Sequence, residues 1–426
     1  MKFAIPEKYN FLKDYNVIFI LFFSFCLGNI FINLATLICS FIFIIKFKEI
    51  KIYINQFSDV FYLILFFWFI LVLSTIIIDY KNFNSIFKSI SYIRFIILPF
   101  VIIYMIAKVD KKKFIIFINF LIILLIFDVF FQFYFKFDLF GYNLKDLGNP
   151  RQDRIGGFFG DEFVAGGYLS LFGFLSLFLI SEIKTFREKK YLYFIYLSAL
   201  LTAIIITGDR VSIILIFGIF LFNVIFNKNL RKYFLSSMLL FSFLTILIIQ
   251  NSNKLSYRYI DNINEIAKIN IFKEPTKIGF LNTPWISHYL VSIEMIKEKP
   301  ILGFGNKGFR KFCPDYSDKE KLSKYKHKCA NHPHNTYFEI AVDTGIFGLA
   351  IFVIFNFLIF LKVLRNKNTK ILLIYSIVFT IINPIRPSGS FFSTWSAATF
   401  WVIIGVLLYF LVKDYNKKKI INNNLH

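Results

Sequence analysis

Scarcity narrows the possibilities first. Acidic residues number 26 against 49 Lys and Arg, and they form no paired-carboxylate motif, so a built divalent-metal centre is not expected. Cysteine is limited to four residues in 426, too few for a disulfide-dense secreted scaffold. No strand precedes the Gly-rich stretches, which removes the usual phosphate cradle of a nucleotide site. Nucleic-acid motifs are also lacking, and the formal charge of +23 reads as a topology signal and an attraction to anionic lipid. Internal repeats and heptads are missing, which disfavours solenoids and coiled coils. The first apolar run lacks a small-residue cleavage site and leads straight into more apolar sequence, so it is expected to serve as an uncleaved insertion signal.

What remains is very apolar. Hydrophobic residues make up 57% of the chain, Phe alone accounts for 60 positions, and the mean hydropathy is +0.63, more than a soluble core explains. Windows near the ~20 residues of a membrane-spanning helix recur. They predict an all-α polytopic membrane protein of about twelve transmembrane helices, at 16–29, 31–46, 58–78, 89–107, 114–135, 163–181, 191–207, 211–226, 233–250, 337–361, 371–385 and 391–412. The first pair forms one run interrupted only by Gly28, Asn29 and Asn33. Lys and Arg crowd every second short loop, around 46–51, 108–113, 184–190, 228–232 and 362–370, which predicts both termini in the cytoplasm. Arg94 and Asp128 fall inside spans and are expected to face the bundle interior, paired with each other or lining a lipid groove.

Residues 1–426 thus read as a single integral membrane domain carrying one long insert, 251–336, on the non-cytoplasmic side between spans nine and ten. Within it, SHYLVSIEMIKEK before Pro300 reads as an amphipathic helix with Tyr289, Ile293 and Ile296 on one face. Gly303, Gly305 and Gly308 mark a turn. Cys313 and Cys329, sixteen residues apart in this outward loop, are disulfide candidates, with two free thiols as the alternative. Zinc held by these cysteines with His327, His332 and His334 fits no standard spacing. A second unusual outward loop, 148–169, gathers Arg151, Arg154, Asp161 and Glu162 beside Gly156, Gly157 and Gly160. Arginines clamp phosphate and carboxylates bind sugar hydroxyls, so this loop is either a substrate contact through Arg154 and Glu162 or a solvated turn.

The run from Cys329 to Ala350 carries a resemblance. His334-Asn335, nine residues, Gly345, two residues, Gly348 is similar to the H-N-x9-G-x-x-G pattern of the O-antigen ligase and O-antigen polymerase superfamily of polytopic inner-membrane glycosyltransferases. Thr207-Gly208-Asp209-Arg210 resembles that family's T-x-S-R turn, and Pro300-Ile301-Leu302-Gly303-Phe304-Gly305 resembles its P-L-L-G-V-G segment. Two departures stand out. The family's loop Arg, about fifty residues before the histidine, has no counterpart in TPWISHYL, and its usual Glu before the first motif Gly is Asp343.

The resemblance implies a metal-independent transferase that needs no cofactor and moves a glycan from undecaprenyl diphosphate to an acceptor at the periplasmic face of the bacterial inner membrane. The acceptor is lipid A core for a ligase, the favoured reading, or a second lipid-linked repeat for an O-antigen or exopolysaccharide polymerase. His334 is expected to position or deprotonate the acceptor hydroxyl, because imidazole is the usual proton-transfer group near neutral pH. Its bland alternative is to cap span ten with Asn335. Arg210 is expected to stabilise the leaving diphosphate, since the positive-inside rule disfavours a lone outward Arg placed there for topology alone. Arg310 or His288 is expected to supply the second contact, with His332 and Asn335 supporting the substrate. A secondary transporter is the reading from another class: it would use Arg94 and Asp128 as a relay but leaves the histidine loop unexplained.

Overall fold

The computed structural model describes residues 13–143, 154–160, 162–256, 259–260, 284–317, 329–366 and 368–423. Arg151, Asp161 and His327 lie outside the described residues. Within them the chain is helical, and the only β feature is an isolated bridge between Phe137 and Asn143. Ile and Phe are middling helix formers in water, but in lipid each unpaired backbone group costs several kcal/mol. That penalty makes helix the default for such runs.

Among the described residues six helices are long and apolar enough to cross a membrane: Ser58–Asp79, Phe83–Lys108, Lys111–Phe135, Arg231–Gln250, Thr336–Asn366 and Thr394–Asn416. The pair Asn29–Ile45 and Phe47–Gln56, bent by 92°, brings the number to seven. Asp14–Leu27, Ala165–Ile180, Tyr191–Ile206, Arg210–Phe226 and Thr369–Ile381 are apolar but shorter. At 1.5 Å per residue, a helix of ~17 residues covers roughly 25 Å of a ~30 Å hydrocarbon core. Counted by helix length, then, the spans number six or seven where hydropathy suggests about twelve. The first apolar run divides at Gly28, whose φ of 95° turns Val17–Leu27 into Asn29–Ile45.

Two helices form the centre. Thr394–Asn423 lies along Ile93–Lys108, and Gly405 lets it approach so closely that a side chain there would press on Ile102 and Pro99. Of its apolar window, 89% is buried inside the protein, against 11% for Arg231–Gln250, which belongs to the periphery. Large apolar side chains such as Phe41, Ile45, Leu239 and Phe243 are exposed on outer helix faces, as a lipid-facing surface requires. At one end, Lys46 pairs with Asp14, Lys108 with Glu49, Lys362 with Asp59, and Lys370 and Lys413 with Glu182. These contacts tie together the Lys-rich loops that the charge pattern assigns to one side.

The buried polar residues correct one expectation. Arg94 donates to Asn33 at 2.8 Å and to the Ser91 carbonyl, while Asp128 accepts from the Leu139 N–H at 2.8 Å. The two do not pair. Arg94 is held by Asn33 and the Ser91 carbonyl, and Asp128 by the backbone at Leu139.

At the opposite end the chain folds back on a broken helix. Gly345, at φ 68° and ψ −173°, interrupts Thr336–Asn366. The carbonyls freed at Val342 and Asp343 accept from the N–H groups of Phe304 and Gly305 at 2.7 and 2.9 Å, and Ile346 donates to Pro300 at 2.7 Å. Ser74 adds a hydroxyl to the Asp343 carbonyl at 2.9 Å. Segment 300–305 and the helix break are therefore two halves of one backbone junction, which satisfies non-helical backbone at membrane depth. Gly303 (φ 67°) and Gly345 leave no room for a side chain, because a Cβ on either would strike the other segment's backbone.

Candidate active site

Above that junction the described parts of the insert pack as a small cap. Helix Pro284–Glu298 buries Ser287, His288, Val291, Ser292 and Met295. Its covered face centres on Val291 and Met295, which meet Phe309 and Cys313 of helix Gly308–Ser317 and Val342; of the expected Tyr289, Ile293 and Ile296, Ile296 packs against this cluster and Tyr289 stacks on Phe338. The Asp343 carboxylate accepts from the N–H groups of Lys307 and Gly308 at 2.8 and 2.9 Å, capping Gly308–Ser317. Cys313 and Cys329 are bonded, with Cα atoms 5.7 Å apart. The bridge fastens that helix to the stretch leading into His332 and His334.

Three imidazoles meet there. The His334 ring lies 4.2 Å from that of His332 and 5.3 Å from that of His288, the latter nearly parallel at 25°. His334 adopts φ 57°, a left-handed conformation that is uncommon for a residue with a Cβ and concentrates at functional sites. It is held by the Ser388 N–H, which donates to its carbonyl at 2.8 Å, while His332 Nε2 sits 3.2 Å from the Ser388 carbonyl. Burial, reinforced by His334 and His288, pushes the His332 imidazole down to about 4 and leaves it neutral near pH 7. Asn335 acts as a cap: its Oδ1 accepts from the N–H groups of Tyr337 and Phe338, and its Nδ2 donates to the Pro384 carbonyl at 2.7 Å. One turn on, Glu339 is buried and accepts from the Ser390 hydroxyl at 2.5 Å and the Phe391 N–H at 2.6 Å.

The arginines gather around Asp209. This residue caps helix Arg210–Phe226 by accepting from the Val211 N–H, and it pairs with Arg154 Nη2 at 3.3 Å. Arg154 also donates to the Phe163 carbonyl at 2.8 Å, and Ile155 donates to the Thr207 carbonyl at 3.1 Å, so the second outward loop docks on the Thr207–Arg210 turn. Gly166 allows this approach, since a side chain there would meet Thr207, Asp209 and Ser212. Glu162 lies next to Phe163 with its side chain exposed.

The expected second basic contacts separate. His288 joins the imidazole cluster. Arg310 is exposed on helix Gly308–Ser317, near Lys307, whose ammonium is lowered by burial and by Lys88 and Arg310. Two residues emerge that the motifs did not indicate: Glu339, and Arg386 in the loop 383–390. Arg386 is half-buried, its Nε sealed from solvent, and burial lowers its guanidinium to about 10 while Asp209 opposes the shift. A lone Arg in a short outward loop was the signal that singled out Arg210, and it applies equally to Arg386. Among the described residues no group of three His, Cys, Asp or Glu is arranged to hold a metal ion.

The arrangement therefore presents imidazoles and guanidiniums at the same end of the bundle, joined by one loop. No curated protein matches the chain. Residues 195–353, which include Arg210, His288, Arg310, His334, Gly345 and Gly348, match the model of the family described as O-Antigen ligase, so this segment of the chain is similar to that family.

Proposed function

We propose that the protein is a glycosyltransferase of the O-antigen ligase type, moving a glycan from undecaprenyl diphosphate to lipid A core at the periplasmic face of the inner membrane. The observation that carries this reading is the imidazole cluster, in which the His334 ring lies 4.2 Å from that of His332 and 5.3 Å from that of His288, with the His334 carbonyl held by the Ser388 N–H of loop 383–390. In the reaction, the acceptor hydroxyl oxygen bonds to the anomeric carbon as the bond from that carbon to the diphosphate oxygen breaks. The electron pair leaves with the diphosphate, and the hydroxyl proton passes to the His334 imidazole. Arg210, aided by a second cation, holds the charge that grows on the leaving group. Arg154 and Glu162 border this site on the other outward loop, and His332 and Asn335 keep His334 in place.

The test is a transfer assay on the purified full-length protein with an undecaprenyl-diphosphate glycan and, in separate arms, lipid A core or further donor. A glycosidic product with lipid A core and release of the lipid diphosphate is expected. Product only with further donor would make the enzyme a polymerase. No product in either arm, together with solute uptake in proteoliposomes, would replace the reading with transport.

A further inference from the structure

The start of helix Thr336–Asn366 is laced to the stretch 382–391. Tyr337 donates its hydroxyl to the Ile382 carbonyl at 2.6 Å, Asn335 donates Nδ2 to the Pro384 carbonyl at 2.7 Å, and Thr336 donates its hydroxyl to that of Ser388 at 3.1 Å. Ser388 answers with its backbone. Its N–H donates to the His334 carbonyl at 2.8 Å, and its own carbonyl lies 3.2 Å from His332 Nε2. A carbonyl only accepts, so that contact puts a proton on Nε2 and fixes the tautomer of the neutral His332 ring. One residue thereby sets the backbone of one imidazole and the proton position of the other.

Glu339 closes the far end of this lacing. It is 3% exposed and sits one turn after Asn335, whose carbonyl accepts its N–H at 3.0 Å. Its two oxygens take different donors from one turn: Oε1 the Ser390 hydroxyl at 2.5 Å, and Oε2 the Phe391 N–H at 2.6 Å. That turn is firm, because the Ser390 carbonyl accepts from the N–H and hydroxyl of Ser393, and Phe391 is buried against Phe352 and Phe400. Only Gly389, exposed, separates Ser390 from Ser388. A glycine link holds a position only where both of its flanks are pinned. The left-handed backbone of His334, φ 57°, persists only where its surroundings over-determine it. A buried carboxylate in an apolar helix is costly, and gripping this turn gives it a purpose.

We propose that Glu339 is a positioning residue for the two imidazoles: by gripping Ser390 and Phe391 it holds Ser388, which in turn sets the backbone of His334 and the tautomer of His332. Its place in catalysis rests on the transferase reading of His334. The grip works through hydrogen-bond geometry. A Gln at this position can accept from the Phe391 N–H with its amide oxygen and donate to the Ser390 hydroxyl oxygen with its NH2.

The full-length protein in lipid nanodiscs tests it, with Glu339→Ala, Glu339→Gln and Ser390→Ala compared for transfer kinetics and for the nitrogen NMR signals of isotope-labelled histidine. His332→Gln and His334→Gln assign those signals. Glu339→Ala should lower kcat by more than about tenfold, since misplacing a reacting group by ~1 Å can cost ~10²-fold. Donor and acceptor KM should stay near wild type, and His332 should leave its single Nε2–H tautomer. Glu339→Gln should restore most of kcat and the tautomer, with Ser390→Ala, which keeps the Phe391 bond, in between. On a His334→Ala background Glu339→Ala should cost little more, because the group it positions is gone. Wild-type kcat and histidine signals in Glu339→Ala would overturn the proposal, as would a Glu339→Gln variant as damaged as Glu339→Ala, or an undiminished loss on the His334→Ala background. Should Glu339→Ala fail to assemble, wild-type kcat and signals in Ser390→Ala would overturn it alone. If the wild type forms no glycosidic product yet the histidine signals move with Glu339→Ala, the positioning role stands and the transferase reading falls.

Discussion

Ser388 donates its backbone N–H to the carbonyl of His334 across 2.8 Å, and that single bond links the loop carrying Arg386 to the imidazole read as the proton acceptor. Since a positioned base contributes ~10²–10⁴-fold where it acts, His334→Ala should reduce glycan transfer by at least two orders of magnitude. Membrane abundance should stay normal, because the bond uses backbone atoms that the substitution keeps. The effect of His332→Ala should be milder. Transfer rates of both variants at matched protein levels check the ranking.

Gly345 gives a structural prediction. Its φ of 68° and its contact with the Ile301 carbonyl exclude any side chain, so Gly345→Ala combines backbone strain with a collision that no rotamer relieves. Lower abundance and a reduced melting temperature are expected, with activity lost as the 300–305 junction opens. A melting temperature equal to wild type would mean that the junction is looser than its hydrogen bonds imply.

The bridge between Cys313 and Cys329 closes a sixteen-residue separation and anchors the cap to the histidine stretch. A loop of this size is worth about 3 kcal/mol in the chain-entropy account. Cys313→Ser should therefore lower the melting temperature, and mild reduction should slow transfer by the wild type but not further slow the variant. Thiol labelling before and after reduction reports the bridge directly.

His332 makes stability depend on pH. Its folded value of about 4 lies below the ordinary 6.5, so the unfolded chain binds the proton more tightly. The stabilising contribution is complete above about pH 6.5 and is lost as pH falls toward 4. Melting curves in detergent should show a wild-type decline across that window that His332→Gln reduces. Identical profiles would remove His332 from the buried cluster.

Arg210→Ala should weaken donor use by more than about tenfold, since a diphosphate contact from guanidinium is charge-assisted. His288→Gln and Arg310→Gln, measured between pH 6 and 8, separate the insert's two basic residues. A defect confined to His288→Gln, in an enzyme whose wild-type activity rises as pH falls, would assign the phosphate role to an imidazolium.

Hydropathy and charge are local properties, and they were enough to locate the apolar helices and the alternation of Lys-rich loops, while the ordered motifs around Arg210, Gly303, His334 and Gly345 were legible through the family resemblance. The spacing of Cys313 and Cys329 likewise made their pairing legible. Packing decided the rest. That His288 stacks on His334, that Asn335 is spent on a cap and the Pro384 carbonyl, and that Arg94 turns to Asn33 and away from Asp128 all depend on which helix faces meet. Ser388 shows the reason most clearly. It lies 54 positions after His334 in the chain, and only the packing of its loop against the start of Thr336–Asn366 brings its N–H to the His334 carbonyl, a three-dimensional relation that no local pattern of residues encodes.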